Sequence, residues 1–231
     1  MKTPMRLLLD SILATFAATT APDDARRDAV ARTEAILASL DLSGLDEIQD
    51  ERTFAGLHQL DVPLMQMRED GRADLANLAN AIEAANLHLL WQVAYAYYYP
   101  RGVNPGPGYL SSNMSCELIG PEGAPVYAPD FRLGLFYFGP YVLYRDHAHL
   151  APELYVTLAG PSHWRQDCED WMEKPAGEMM FNSSNQAHAM QSEAMPFFSI
   201  FVWLSDVNEK IALVPMEDWA WIEGELAQKP N

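Results

Sequence analysis

The chain has 231 residues, 49% apolar and 20% charged, enough for a sizeable core, which excludes the disordered and collagen-like classes. Lys plus Arg is 15 against 32 for Asp plus Glu, a net charge of −17 that repels phosphate backbones and favours a cationic or zwitterionic small molecule over nucleic acid. With two cysteines, Cys116 and Cys168, a disulfide-dense scaffold and a Cys-rich zinc site are excluded, and both read as reduced thiols.

Residues 1–98 read as helices. Lys2 and Arg6 ahead of Leu7-Leu8-Leu9 look superficially like a signal peptide, but Asp10 interrupts the apolar run. Met5, Leu8, Leu9, Ile12, Leu13 and Phe16 instead recur at the spacing of an amphipathic helix, and the chain reads as cytoplasmic. Thr20-Ala-Pro-Asp23 is a capping signal for a helix through about Leu40. Leu75, Leu78, Ile82, Ala85 and Leu89 step by three and four, which predicts a long helix over 73–97. The apolar runs 87–99 and 197–204 fall short of the roughly 18 residues a membrane span needs. This half holds two histidines, His58 and His88, and no clustered chemistry; it reads as a helical cap or a homodimerisation element.

The Pro- and Gly-punctuated stretch 100–110 marks the boundary between a helical region, 1–100, and a β region, 101–231. Short strand-like runs follow at 131–138, 141–144, 154–158, 178–181, 197–204 and 211–214, the pattern of a sandwich or barrel, with a short helix around Trp219 and Trp221. The predicted class is α+β.

Four of the six histidines lie between positions 147 and 188. In His147-Ala-His149 the two imidazoles share a strand face. Glu153 follows a Pro-containing bend and can return to that face, Tyr155 has its parity, and His188 could supply a third imidazole. Three imidazoles and a carboxylate suit one divalent ion among zinc, iron, nickel and manganese. Tyr137, Tyr141, Tyr144, Trp164, Phe198 and Trp203 sit in or near strands and could form an aromatic wall around a substrate. His163 follows the Gly160 turn and is kept out of the ligand set. No phosphate loop, nucleophile elbow or dinucleotide fingerprint occurs.

The spacing resembles the cupin superfamily: Gly139, then His147-x-His149, three residues, Glu153, six residues, Gly160. The second motif reads Gly177, five residues, Ser183-Ser-Asn185, two residues, His188, three residues, Ser192. Its Pro, Gly and Asn are replaced, and the gap from Gly139 to His147 is two residues longer than the usual pattern. Asn185 can adopt the positive φ that Gly would have supplied. Within cupins the chain is similar to the dimethylsulfoniopropionate (DMSP) lyases, most like the DddL type. The carriers are His-x-His-x-x-x-Glu-x-Tyr, the tyrosines before it, and His-Ala-Met at 188–190. The resemblance implies a helical region packed on a cupin double-stranded β-helix, with His147, His149, Glu153 and His188 holding the metal, zinc as the first expectation. It implies Tyr155 as general base, Tyr144 beside it, and cleavage of a zwitterionic sulfonium substrate to dimethyl sulfide and acrylate. The competing readings are another metal cupin, a dioxygenase or isomerase, and a non-catalytic small-molecule sensor.

Overall fold

The computed structural model describes residues 2–19, 23–47, 57–121 and 123–229. The helices are α1 (Pro4–Ala18), α2 (Asp24–Ser39), α3 (Gly44–Glu47), α4 (Asp61–Glu69), α5 (Ala73–Ala85), α6 (Pro107–Ser112) and α7 (Trp219–Leu226). The strands are β1 (Met114–Gly120), β2 (Val126–Tyr127), β3 (Arg132–Phe138), β4 (Leu143–Ala148), β5 (Glu153–Ala159), β6 (Ser162–Gln166), β7 (Met172–Lys174), β8 (Met179–Asn182), β9 (His188–Ser192), β10 (Phe197–Trp203) and β11 (Ala212–Leu213). They form two largely antiparallel sheets, ordered β2-β1-β3-β10-β5-β8 and β11-β4-β9-β6-β7. No helix among the described residues is long and apolar enough to cross a membrane.

The predicted α2 starts where its cap stands: the Asp23 side chain accepts from the Arg26 N–H at 2.9 Å. Thr20, Ala21 and Pro22 of that capping signal lie outside the described residues. The predicted helix over 73–97 is corrected, because α5 stops at Ala85. One 3-10 turn, Asn86–His88, follows, and then the backbone leaves the helical ladder for the barrel edge. Gln92 exchanges both of its hydrogen bonds with Ser115 of β1, at 2.9 and 2.8 Å. These bonds satisfy buried backbone that a continued helix would have satisfied internally. Chain downstream of α5 therefore joins the β layer before residue 100.

The two faces of the larger sheet explain why every residue of β1, β3, β5 and β10 is buried. Successive side chains alternate across a strand. Leu154, Val156 and Leu158 of β5, with Ile200 and Val202 of β10, pack outward against Leu8, Leu9, Ile12, Leu78 and Ile82 of the helices. Tyr155 of β5, with Phe197, Phe201 and Trp203 of β10, faces inward, toward Tyr144, Trp164 and Met190 of the smaller sheet. Polar clasps hold the helices in place: Gly160 N–H donates to Gln66 Oε1 at 3.0 Å, and the Arg72 guanidinium donates to the Gly177 carbonyl at 3.2 Å.

The smaller sheet carries one irregularity that matters for the site. Tyr144 pairs with Met190 and His147 with His188, so three steps along β4 match two along β9. Without this bulge, residues 144 and 147 would point to opposite faces. With it, both project inward, and their rings stack at 4.1 Å.

Candidate metal centre

His147 lies near the end of β4, His149 just beyond it, Glu153 opens β5 and His188 opens β9. All four are nearly inaccessible to solvent. The two halves of the sequence pattern are tied by backbone. Asn185, with φ of +59°, donates its N–H to the His149 carbonyl at 2.8 Å. Ser192, which stands where the pattern has Asn, donates to the Gly139 carbonyl at 2.7 Å and accepts from the Val142 N–H at 3.0 Å.

Each imidazole is oriented by a main-chain carbonyl: His147 Nδ1 to Arg145 O at 2.7 Å, His149 Nδ1 to Ala151 O at 2.8 Å, and His188 Nδ1 to Gln186 O at 2.9 Å. A carbonyl only accepts, so each Nδ1 carries the proton and each Nε2 presents a lone pair. Ligand nitrogens of the three rings lie within 4.8 Å of one another. The Glu153 carboxylate joins them, with Oε2 3.1 Å from His149 Nε2 and 3.3 Å from His188 Nε2. The His188 Nε2 is buried and has no hydrogen-bond partner among the described residues. Nitrogen lone pairs facing a carboxylate in a dry cavity repel unless positive charge lies between them, and this donor set fits a divalent cation. Burial and the two neighbouring imidazoles push the His147 pKa well below the usual imidazole value, so the ring stays neutral and available as a ligand. Burial works to raise the Glu153 pKa; positive charge and hydrogen-bond donation from the His149 and His188 side, where Nε2 carries a proton in place of an ion, outweigh it and hold the carboxyl well below the usual carboxylate range.

Around this cluster is a cavity walled by Ala94, Tyr98, Tyr109, Phe136, Tyr155 and Phe201, with Trp203 and Tyr144 beside the imidazoles. Its free space is about 30 Å³, room for a water or two. Trp203 stacks on His149 at 4.4 Å and donates its indole N–H to Glu153 Oε1 at 2.6 Å, leaving Oε2 turned to the histidines. Trp164 stands behind Tyr155, edge-on at 5.1 Å, with its indole N–H on Ser162. The hydroxyls of Tyr144 and Tyr99 are 2.5 Å apart, and the Tyr144 ring is sandwiched between His147 and Tyr109, each at 4.1 Å.

Three residues expected in the substrate wall lie elsewhere. Tyr137 and Phe198 are register partners on the outer face of the larger sheet and pack against the helices. Tyr141 has φ of +56° ahead of β4 and packs near α7. The strand parity that turns Phe136 and Phe197 inward turns Tyr137 and Phe198 outward. Phe198→Ala should therefore cost about 3–5 kcal/mol of stability in urea denaturation while leaving the folded fraction's KM unchanged. His163 also stays outside, its Nε2 3.0 Å from the exposed Glu193. Sequence reasoning missed Ala94, Tyr98, Tyr99 and Tyr109, all upstream of the first main strand. The signal was the density of tyrosines at 95 and 97–99, too crowded for one face of a helix.

A family model of DMSP lyases matches residues 29–199. The chain belongs to the dimethylsulfoniopropionate lyase family. Among curated relatives, it is 25% identical over 133 residues to dimethylsulfoniopropionate lyase DddQ of Ruegeria pomeroyi, a match covering 58% of this chain and 63% of that protein, somewhat under two thirds of the relative's length. The crystal structure of DddQ from Ruegeria pomeroyi superposes with a TM-score of 0.65 at 22% identity, over 91% of this chain and 96% of that one. A structure reported with the DMSP lyases RdDddP and RnDddQII gives 0.61 at 19% identity, over 92% and 98%. These two likenesses establish the shared fold. These relatives are named as DddQ and DddP lyases, and the DddL subtype expected from the sequence is not confirmed by them.

Proposed function

We propose that this chain is a metal-dependent carbon–sulfur lyase of cupin architecture that cleaves DMSP by β-elimination to dimethyl sulfide and acrylate. Family membership supplies the reaction class. The observation that carries the assignment is the convergence of three buried imidazole Nε2 atoms and Glu153 in an aromatic cavity, with every Nδ1 committed to a carbonyl. His147, His149, His188 and Glu153 would hold the ion, with zinc preferred and Fe²⁺, Mn²⁺ or Ni²⁺ as alternatives.

When bound, a divalent cation supplies positive charge that favours both negative charge developing on the substrate carboxylate and the phenolate form of a neighbouring tyrosine. Tyr155 takes the proton from the carbon alpha to the carboxylate. The α C–H bond breaks, its electron pair forms the C=C bond of acrylate, and the C–S pair leaves with sulfur as neutral dimethyl sulfide. A sulfonium needs no protonation to depart, so no separate acid is required.

Tyr155 fits the base better than Tyr144 does. Burial and the Glu153 carboxylate raise the Tyr155 pKa well above 10, so its phenolate depends on local positive charge, which is the charge this donor set gathers. Burial raises Tyr144 as well, and its hydroxyl is already committed to Tyr99 while its ring braces His147. The faces of Tyr98, Phe136, Phe201 and Trp203 suit the sulfonium, which an aromatic wall attracts through its quadrupole. Headspace detection of dimethyl sulfide from purified protein and DMSP tests the reading. Release that stops with a chelator and returns with added metal is expected; release indifferent to chelation would remove the metal from the reaction.

A further inference from the structure

We propose that the C-terminal helix α7 positions the metal centre by gripping the β4 bulge. The inference rests on reading the three imidazoles as metal ligands. The bulge consists of Arg145 and Asp146, the two residues between Tyr144 and His147, and each is held from α7 by its own contact.

Arg145 forms a bidentate pair with Glu223, Nε to Oε1 at 2.8 Å and the second guanidinium nitrogen to Oε2 at 2.9 Å. Its guanidinium lies 5.0 Å above the Trp219 ring. Its main chain is fixed as well, because its N–H donates to the Pro105 carbonyl at 3.0 Å. The Arg145 carbonyl, on the next peptide unit, orients His147 through Nδ1 at 2.7 Å. Asp146 is fully buried and accepts the Trp219 indole N–H at 2.8 Å and the Arg165 Nε–H at 2.9 Å. Arg165 in turn pairs with Asp218, the residue that precedes α7, at 2.5 Å. The Val214 N–H, in the chain leading to the helix, donates to the Asp146 carbonyl at 2.8 Å.

A bulge interrupts the ladder, so its residues lack the paired hydrogen bonds that fix ordinary strand positions. Here the missing constraint comes from α7. Glu223 fixes the residue whose carbonyl aims His147, and Trp219 fixes the next one, so the helix sets the direction of His147 Nε2 without touching the site. Glu223 and Trp219 are positioning residues. A bidentate guanidinium–carboxylate pair and a buried carboxylate with several donors are the contacts able to hold such geometry.

The test is zinc affinity of the metal-free full chain, measured by competition with a chromophoric chelator at a temperature where every variant is folded. Glu223→Gln removes one acceptor of the bidentate pair. Trp219→Phe keeps a ring under Arg145 and removes the N–H to Asp146. Glu225→Gln, exposed on the same helix, is the control. We expect zinc Kd to rise by about 10–100-fold in each of the first two and to stay unchanged in the control, since outer partners of metal-bound histidines carry effects of that size. A helix that only anchors the terminus would lower the melting temperature and leave Kd alone. Unchanged Kd in folded Glu223→Gln and Trp219→Phe overturns the inference while sparing the metal reading, and if Glu223→Gln does not fold, Trp219→Phe decides by itself. A wild-type chain with no saturable zinc binding overturns the metal reading and this inference with it.

Discussion

Tyr155→Phe is expected to keep the fold and the metal and to lose turnover by about 10²–10⁴-fold, the range general-base catalysis supplies. The substitution preserves ring volume, and the ring is held by Trp164 at 5.1 Å and tilted against Phe136 at 6.4 Å, so packing should survive. The loss should fall on kcat, measured as deuterium exchange at the substrate α carbon as well as dimethyl sulfide release. Tyr144→Phe gives the contrast. It removes the Tyr99 contact and loosens the brace on His147, so its damage should appear partly as weaker metal retention. A Tyr155→Phe enzyme with near-normal turnover beside an inactive, metal-replete Tyr144→Phe would transfer the base assignment. If both stayed active, the tyrosine-base mechanism would be overturned.

The second large effect concerns the ligands. His188→Ala should abolish stoichiometric metal and, with it, turnover, as read by elemental analysis of purified protein. The Nε2 of His188 has no other partner to satisfy, and His147 sits 4.1 Å away ring to ring with its own Nδ1 tied to Arg145. His163→Ala, at a partly buried position paired with Glu193, should keep full occupancy. Full occupancy in His188→Ala would remove that residue from the ligand set.

How much of this was legible in the sequence follows from which signals are local. The parity of His147 and His149, and of Glu153 and Tyr155, is a two-residue period that any extended strand imposes, and these side chains do converge in the structure. The positive φ at Asn185 was equally local, since a short amide side chain tolerates that region. The wall residues were harder to see. Tyr137 and Phe198 looked equivalent to Phe136 and Phe197 because both faces of the larger sheet are covered and both read as apolar. Only the register across β3 and β10, a long-range property, tells inward from outward. Tyr98 and Tyr99 were hidden inside an apolar run that mimics helix, and the Gln92 bridge to Ser115 that diverts it joins residues far apart in sequence. The bulge was likewise invisible, because nothing in Tyr144-Arg-Asp-His147 marks which residue lacks a partner.

That bulge also constrains how the chain can change length. A surface loop absorbs an inserted or deleted residue as a difference in span. Between Tyr144 and His147 the count instead acts as a reading frame: losing one residue would keep the two rings on one face of a regular strand but remove either the Arg145 or the Asp146 attachment to the terminal helix, and gaining one would add a further unpaired position. The spacing of this segment therefore belongs to the site as much as the identities of its side chains do.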